Sequence, residues 1–446
     1  MNIKTVNRTV AFNVGHNVNA IISFMIITFQ YRIKPTPEQV AIMEAWSELL
    51  RRHWNFALGQ RLDWLNQTRV QIDRCSIVSE SVGDIPPQVD YYFQQSALKE
   101  TKKLFPAYAS IYSEVQQMNL QRLDKAWRRW LFPDKTGKRG GRPKFKKRGE
   151  KPSFSVSRVN HPKAACFLEG NILRIPKIGS IPVVIHRPIL EGFTLKTATI
   201  CFKADGYYIS ISAEDAIIPT PKPLDEVKSA VGVDLGLKEF LATSRGEFVP
   251  VPQIYRKAQK HLARQHRKLA KKKDGSNNRA KAKTRVAKID QRIARQREMF
   301  HYQVAHWLCH NYDLIAVEDL NIKGLARTRL AKSIYDVSWG KFLTILEAVV
   351  VKYGVHLVKV SPHNTTQDCS GCGIKVPKTL SVRLHQCHKC GLEMDRDENA
   401  ATNILSKALN AVGLTVSACG GLDDSQPIKQ ESFSVRIGDA HVTAQA

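Results

Sequence analysis

A multidomain α+β protein is the fold this sequence predicts: a mixed sheet with helices packed on it, carrying a small cysteine-rich insertion and preceded by a helical segment and a small antiparallel barrel or sheet. Three observations lead there. From 231 to 360, short apolar runs that read as strands alternate with helical stretches. From 153 to 215, five short strand-like runs are punctuated by turns such as Asp205-Gly206. Between 369 and 390 stand Cys369-x2-Cys372 and Cys387-x2-Cys390, two metal knuckles on one short insertion.

Composition narrows the class of partner. With 446 residues and 43% hydrophobic content, the chain can build two to four domains with real cores. Lys+Arg 68 against Asp+Glu 40 leave a formal net charge of +28, a field that collects polyanions, nucleic acid first among them. An anionic membrane is the rival, but the basic residues are spread over several segments instead of flanking one apolar span, so no membrane partner is expected. Nine cysteines without dense spacing imply a reducing, cytoplasmic setting. The apolar run at 20–29 is short, lacks a small-residue cleavage site and leads directly into 30–34, so it reads as a buried strand and not as a targeting signal.

Residues 1–24 show no clear period and precede an internal Met25; they are expected to form a disordered extension with no role in the fold. Residues 25–36 supply the first barrel strand. Thr36 is placed to cap a helix and Pro37 to occupy its first position, where a missing N–H is no loss. Segments 38–66 and 91–129 repeat apolar residues three and four apart, as in Trp46, Leu49, Leu50, Trp54 and Leu58, and predict a helical domain over 37–130. Gly, Pro, Lys and Arg dominate 134–152, which reads as a solvated linker or, given its position between structured regions, as a phosphate-binding loop that orders on a polyanion. Strands at 153–156, 172–175, 181–185, 196–202 and 207–212 complete the barrel domain, 131–222.

A Pro-rich link at 218–223 opens the next domain, 223–365. Its order is strands at 231–235, 239–243 and 247–250, a basic helical region at 253–310 interrupted at Asp274-Gly275, a strand at 313–318, a helix at 338–353 and a strand at 355–360. The insertion occupies 366–393, a last segment of the sheet domain 394–410, and a loosely ordered tail 411–446.

Three acids, far apart in the chain, each sit where an apolar element would deliver them to one point. Asp234 follows the apolar run 230–233, Glu318 ends the run 314–317, and Asp397 opens a helix whose Ala400-Ala401 face can pack closely on a sheet. Singly, an acid at a strand end is usually a turn residue or an ion-pair partner. Together they match what phosphodiester cleavage asks of a protein: hard carboxylate oxygens holding Mg2+, commonly two ions about 3.5 to 4 Å apart. Asp395 and Asp319 are candidates for supporting positions.

The quartet Cys369, Cys372, Cys387 and Cys390 predicts a structural Zn2+. Four thiolates close a tetrahedral shell, so His385 and His388 need not be ligands and zinc catalysis is disfavoured. The fourteen intervening residues fall just short of the usual window, which a two-stranded ribbon tolerates. Residues 255–297 carry Lys and Arg on most sides with few acids, unlike a merely solvated helix, and predict a grip on a phosphate backbone with steep salt dependence.

At this point a family signature is on the page. Val231-Gly-Val-Asp-Leu-Gly236, Val317-Glu-Asp-Leu-Asn321, Ser361-Pro-His-Asn-Thr-Thr-Gln-Asp-Cys-Ser-Gly-Cys372 and Cys390-Gly-Leu-Glu-Met-Asp-Arg-Asp-Glu-Asn-Ala-Ala-Thr-Asn-Ile-Leu405 closely resemble the TnpB family, transposon-encoded nucleases related to the type V CRISPR effectors. The resemblance runs from about Met25 to Ala408. It implies an RNase H-like (RuvC) mixed sheet with an inserted zinc ribbon that binds target nucleic acid, an oligonucleotide-binding β-barrel or wedge, and a helical recognition segment. It further implies that Asp234, Glu318 and Asp397 are catalytic Mg2+ ligands, and that the partners are a guide RNA from the transposon end and double-stranded target DNA.

The expected activity is RNA-guided, Mg2+-dependent DNA cleavage next to a short adjacent motif. An RNA-guided DNA-binding repressor without cleavage is the rival from a non-enzyme class, ranked lower because all three acids are kept. A transposition accessory protein is the third reading, and no convincing catalytic-tyrosine motif supports strand exchange.

Overall fold

The computed structural model describes residues 2–7, 23–68, 87–134, 136–150, 153–162, 164–189, 191–215, 219–379, 382–414, 434–437 and 440–443. They fall into two units, Thr5–Ala216 and Ile217–Ala446, with Asn2–Lys4 counted in the second. The extension expected at 1–24 is partly strand, β1 being Asn2–Asn7, while residues 8–22 lie outside the described residues.

In the first unit, β2 (Ser23–Ile33) alternates buried Ile27, Phe29, Tyr31 and Ile33 with more open neighbours, the period of a half-buried strand. The helix after it, α1 (Pro37–Thr68), starts on a reciprocal cap: Gln39 N donates to Thr36 Oγ1 at 3.3 Å and Thr36 N to Gln39 Oε1 at 3.0 Å. The helical stretch expected at 91–129 is broken into α2 (Tyr91–Ser96), α3 (Leu98–Leu104), a 3-10 turn over Pro106–Ser110 and α4 (Ser113–Leu131). Pro106 explains the main break, because it lacks an N–H and pushes Phe105 out of helical geometry, to φ −129°. Leu58, Leu62, Leu98, Leu120, Leu123 and Trp127 then close one core.

The basic loop is anchored on α1. The Lys144 and Lys146 carbonyls accept from Trp54 Nε1 at 3.1 Å and Asn55 Nδ2 at 2.9 Å, and the Lys146 ammonium lies 3.9 Å from the Trp54 ring centroid. Burial pushes Lys146 down to about 8. Among its described residues the loop docks on α1. Strands β3 (Phe154–Val156), β4 (Phe167–Glu169), β5 (Ile172–Ile175), β6 (Gly179–Val184), β7 (Thr194–Lys203) and β8 (Gly206–Asp215) join β2 in the order β3-β7-β8-β2-β6-β5-β4. β2, which precedes the helical segment, therefore pairs with β8, the last of these strands in the chain.

The second unit is built on a five-stranded sheet of order β11-β10-β9-β12-β13: β9 (Ala230–Leu235), β10 (Glu239–Thr243), β11 (Phe248–Pro250), β12 (Leu314–Glu318) and β13 (His356–Val360). β9, β10 and β11 are an antiparallel meander, while β12 pairs parallel with both β9 and β13. Helices α5 (Ile254–Ala270), α6 (Asn277–Asn311), α7 (Ile322–Leu325), α8 (Ala331–Val337) and α9 (Trp339–Tyr353) lie between these strands in the chain, and α10 (Arg396–Val412) follows the cysteine insertion. Strand alternation sorts the faces. Val231, Val233, Ile315 and Val317 pack with Phe300, Val304, Phe342 and Leu346 of α6 and α9. Ala230, Leu314 and Ala316 on the other face pack with Ile404, Ala408 and Leu409 of α10.

α5 and α6 share a narrow apolar seam, Ile254, Leu262, Val286 and Ile293, and the rest of their surface is strongly basic. The start of α5 is held by Asp336 of α8, whose carboxylate accepts from Tyr255 N at 3.0 Å and Arg256 N at 3.2 Å. Within the insertion, β14 (Leu384–Gln386) and β15 (Glu393–Asp395) form an antiparallel ribbon that runs directly into α10. In the tail expected to be loose from 411, α10 continues to Val412 and a hairpin forms from β16 (Ser434–Ile437) and β17 (Ala440–Thr443); residues 415–433 lie outside the described residues.

Candidate active site

Period-2 alternation puts Asp234 on the face of Ala230 and Gly232, and Glu318 on the face of Leu314 and Ala316. Both acids therefore face α10. The parallel register pairs Val233 with Val317, so Asp234 and Glu318 are the next residues of adjacent strands, at their carboxyl ends. This is where β9 changes from an antiparallel to a parallel neighbour, a topological switch of the kind where ligands bind in open sheets. Asp397 arrives from above, in the first turn of α10.

Gly232 allows that approach. A Cβ built on it would lie 1.9 Å from the Ala401 carbonyl oxygen and 2.8 Å from Leu405 N, so only glycine lets α10 lie this close to the sheet. Ala400 and Ala401, both fully buried, are small for the same reason.

The three acids share an electrostatic neighbourhood. Asp234 keeps a partly accessible edge, yet burial, then Glu318 and Asp397 nearby, push its carboxyl up to about 8. Burial also raises Glu318, opposed by the Thr365 hydroxyl, which donates to Glu318 Oε1, and by Lys407. Asp397 is held by guanidinium groups: Arg396 Nη2 lies 2.7 Å from Oδ1 and Arg383 Nη1 2.9 Å from Oδ2. Of the two supporting candidates, Asp395 caps α10 by accepting from Asp397 N at 2.7 Å, and Asp319 is exposed. Crowded carboxylates whose charge is raised in free energy, with hard oxygen donors, fit a divalent cation of the Mg2+ type. Among the described residues only the cysteines bring three or more ligand atoms within 4.8 Å of one another.

The cysteine quartet brings four thiol sulfurs within 4.8 Å of one another, a group that could hold a metal ion. Cys369 Sγ and Cys390 Sγ are 3.6 Å apart and Cys372 Sγ and Cys387 Sγ 3.5 Å, near the roughly 3.8 Å edge of a tetrahedron with Zn–S bonds of about 2.3 Å. Gly373 (φ 74°) and Gly391 (φ 73°) turn the knuckles, their N–H groups donating to the Cys369 and Cys387 carbonyls at 2.8 and 2.9 Å. Backbone N–H groups of Cys390 and Lys389 help bring the Cys387 thiol down to about 6, toward the thiolate a metal takes. His385 is fully buried with Nδ1 against Lys378 Nζ, outside the quartet.

Several residues that organise the site carry no acid or thiol, and sequence reasoning did not single them out. Asn399 Oδ1 accepts from Ser370 N at 2.9 Å and its Nδ2 donates to the Asp368 carbonyl at 2.8 Å. Asn403 Nδ2 donates to the Thr365 and Asp368 carbonyls at 2.9 and 2.7 Å. One face of α10 thus grips the loop that presents Thr365 to Glu318 and leads to the first knuckle. A signal existed: two asparagines four apart inside a helix are poor helix formers, and imply work for their side chains.

Comparisons with known proteins place the chain among relatives. A family model described as a probable transposase matches residues 210–329, a Cas12f1-like TNB domain matches 339–404, and a helix-turn-helix domain matches 25–69, which in this structure are one strand and one helix, β2 and α1. A putative RNA-guided DNA endonuclease of Streptomyces pristinaespiralis is 30% identical over 416 residues, 92% of this chain and 94% of that protein. A putative RNA-guided DNA endonuclease of Escherichia coli (strain K12) is 28% identical over 338 residues, 72% of this chain and 79% of that protein. The protein of a solved Cas12f1–sgRNA–target DNA complex aligns with a TM-score of 0.43 and 13% identity over 85% of this chain and 98% of that one. These matches define a transposase-related protein with a zinc-ribbon insertion. The chain belongs to the TnpB family.

Proposed function

We propose that this chain is an RNA-guided DNA endonuclease of a transposable element, cutting double-stranded DNA beside a short adjacent motif, with Asp234, Glu318 and Asp397 as its catalytic metal ligands. The observation that supports the reading is the electrostatic neighbourhood that Asp234, at the end of β9, shares with Glu318 at the end of β12 and Asp397 in the first turn of α10. Two relatives of nearly this length are named as RNA-guided DNA endonucleases, which supports the guided part. When bound, Mg2+ lowers the pKa of an attacking water and neutralises charge developing on the phosphodiester.

The chain's own residues do the positioning. Backbone ladders fix Asp234 and Glu318, the Thr365 hydroxyl sets the rotation of Glu318, and the first turn of α10 carries Asp397. Zn2+ on Cys369, Cys372, Cys387 and Cys390 stiffens the ribbon that leads into α10. The basic faces of α5 and α6 suit the phosphates of a guide RNA drawn from the transposon end and of its DNA partner, base pairing supplying sequence readout. Among the described residues no helix is long and apolar enough to cross a membrane. The test is cleavage of a motif-bearing plasmid by protein co-expressed with transposon-end RNA: wild type should cut, and Asp234→Ala, Glu318→Ala and Asp397→Ala should not. Equal cutting by all four removes the assignment.

A further inference from the structure

The Asp397 carboxylate is occupied from two sides, and the two arginines are not equivalent. Arg396 precedes Asp397 in the same helical turn, is mostly buried, and also donates to the Val382 carbonyl at 3.1 Å, so it is a fixed neighbour. Arg383 comes from the cysteine ribbon, fourteen residues earlier, and its side chain is 40% exposed. It reaches Oδ2, the oxygen that Arg396 leaves free.

We infer that Arg383 is a displaceable competitor for the metal-binding carboxylate: the ribbon parks its guanidinium on Asp397 Oδ2, and a nucleic-acid phosphate that draws the guanidinium away frees that oxygen for a divalent cation. This rests on the three-acid reading above and adds a regulation of the same site. Three features support it. Arg383 is tied to the site by its backbone, its carbonyl accepting from Arg396 N at 2.6 Å, so the side chain can swing while its origin stays fixed. A guanidinium pairs with phosphate as well as with carboxylate, through the same fork of donors. Among the described residues no cation stands at ion-pair distance from the carboxylates of Asp234 and Glu318, so the block falls on one acid and one oxygen. Cation binding and polyanion binding at this point are then positively coupled, each removing an obstacle to the other.

The experiment is Mn2+ titration of the purified zinc-loaded protein without nucleic acid, read by calorimetry and by electron paramagnetic resonance, on wild type, Arg383→Gln and Asp397→Asn. Arg383→Gln should bind Mn2+ roughly threefold more tightly, since a partly exposed ion pair is a modest competitor. Asp397→Asn should bind more weakly than wild type. Zinc content and melting temperature, measured on each variant, show that the ribbon is intact. Unchanged or weaker Mn2+ binding by folded, zinc-loaded Arg383→Gln, with Asp397→Asn weakened, overturns the competitor role alone. If Asp397→Asn binds Mn2+ as wild type does, the three-acid reading fails and this inference with it.

Discussion

Gly232 of β9 and Ala401 of α10 meet backbone to backbone, with no room for a methyl group between them: a Cβ on Gly232 would fall 1.9 Å from the Ala401 oxygen. The distance between sheet and helix, and so the height of Asp397 above Asp234 and Glu318, is set by this contact. Gly232→Ala should destabilise the second unit by about 1 to 3 kcal/mol through overpacking and should abolish cleavage without touching an acid. Urea unfolding alongside a plasmid-cutting assay decides it; native stability together with native activity would show that the helix is not held this way.

Asp234→Asn should separate stability from activity. In wild type, burial and two neighbouring carboxylates oppose ionisation of this carboxyl, and a neutral amide is spared that penalty. In chelator, the variant should melt about 2 to 4 °C higher than wild type while losing cleavage. A lower melting point would mean that Asp234 contributes a favourable contact instead.

Thr365→Val keeps the size of a fully enclosed side chain and deletes its donor to Glu318. Cleavage should slow roughly ten- to a hundredfold, the usual effect of removing the group that orients a metal-binding residue. Single-turnover rates at saturating Mg2+ and at limiting Mg2+ are the measurement, and identical rates at both would leave the hydroxyl with no part in the site.

Cys387→Ser should lose zinc and loosen the ribbon. The quartet is the ribbon's main tie, and β15 passes straight into the turn that carries Asp397. Metal analysis should show less than one zinc per chain, as expected for a broken four-thiolate site, and limited proteolysis should cut within 361–395. Full zinc retention would contradict a four-cysteine shell.

His301 predicts an acid-sensitive core. It is almost wholly buried among Phe240, Phe300 and Phe342, with Nε2 2.9 Å from the Val337 carbonyl, and burial lowers it from 6.5 to about 4. Its folded value lies below its unfolded one, so the stability from this ring is present above 6.5 and is lost as pH falls toward 4. At about 1.4 kcal/mol per pH unit the loss is on the order of 3 kcal/mol. His301→Phe should flatten the urea midpoint between these limits, and an equally steep profile would assign the sensitivity elsewhere, for instance to His53, which burial also lowers to about 4.

Much of this architecture was legible in one sequence because it is written in local periodicity. The strands around Asp234 and Glu318, the basic helices and the ribbon all lie within a few residues of where their patterns predict them. Pro106 was a visible break that an aromatic and aliphatic repeat outweighed. The docking of Lys144 and Lys146 on α1 could not be read, because it joins carbonyls of an irregular loop to Trp54 and Asn55, about ninety residues away. Likewise the hold of Arg383 and Arg396 on Asp397 depends on side-chain direction in a folded ribbon, which no repeat encodes.

The α5–α6 hairpin leaves the isolated protein at odds with itself. Six Lys or Arg and no acid stand on α5, against a seam of only a few apolar side chains. Until a polyanion lies along it, the hairpin is a spring compressed by like charges, and counterions are what keep it shut. Handling in dilute buffer should therefore favour opening and aggregation of the free chain, whereas concentrated buffer should preserve the fold and strip away the RNA. Purification as a ribonucleoprotein escapes the dilemma, since the ligand itself supplies the missing negative charge.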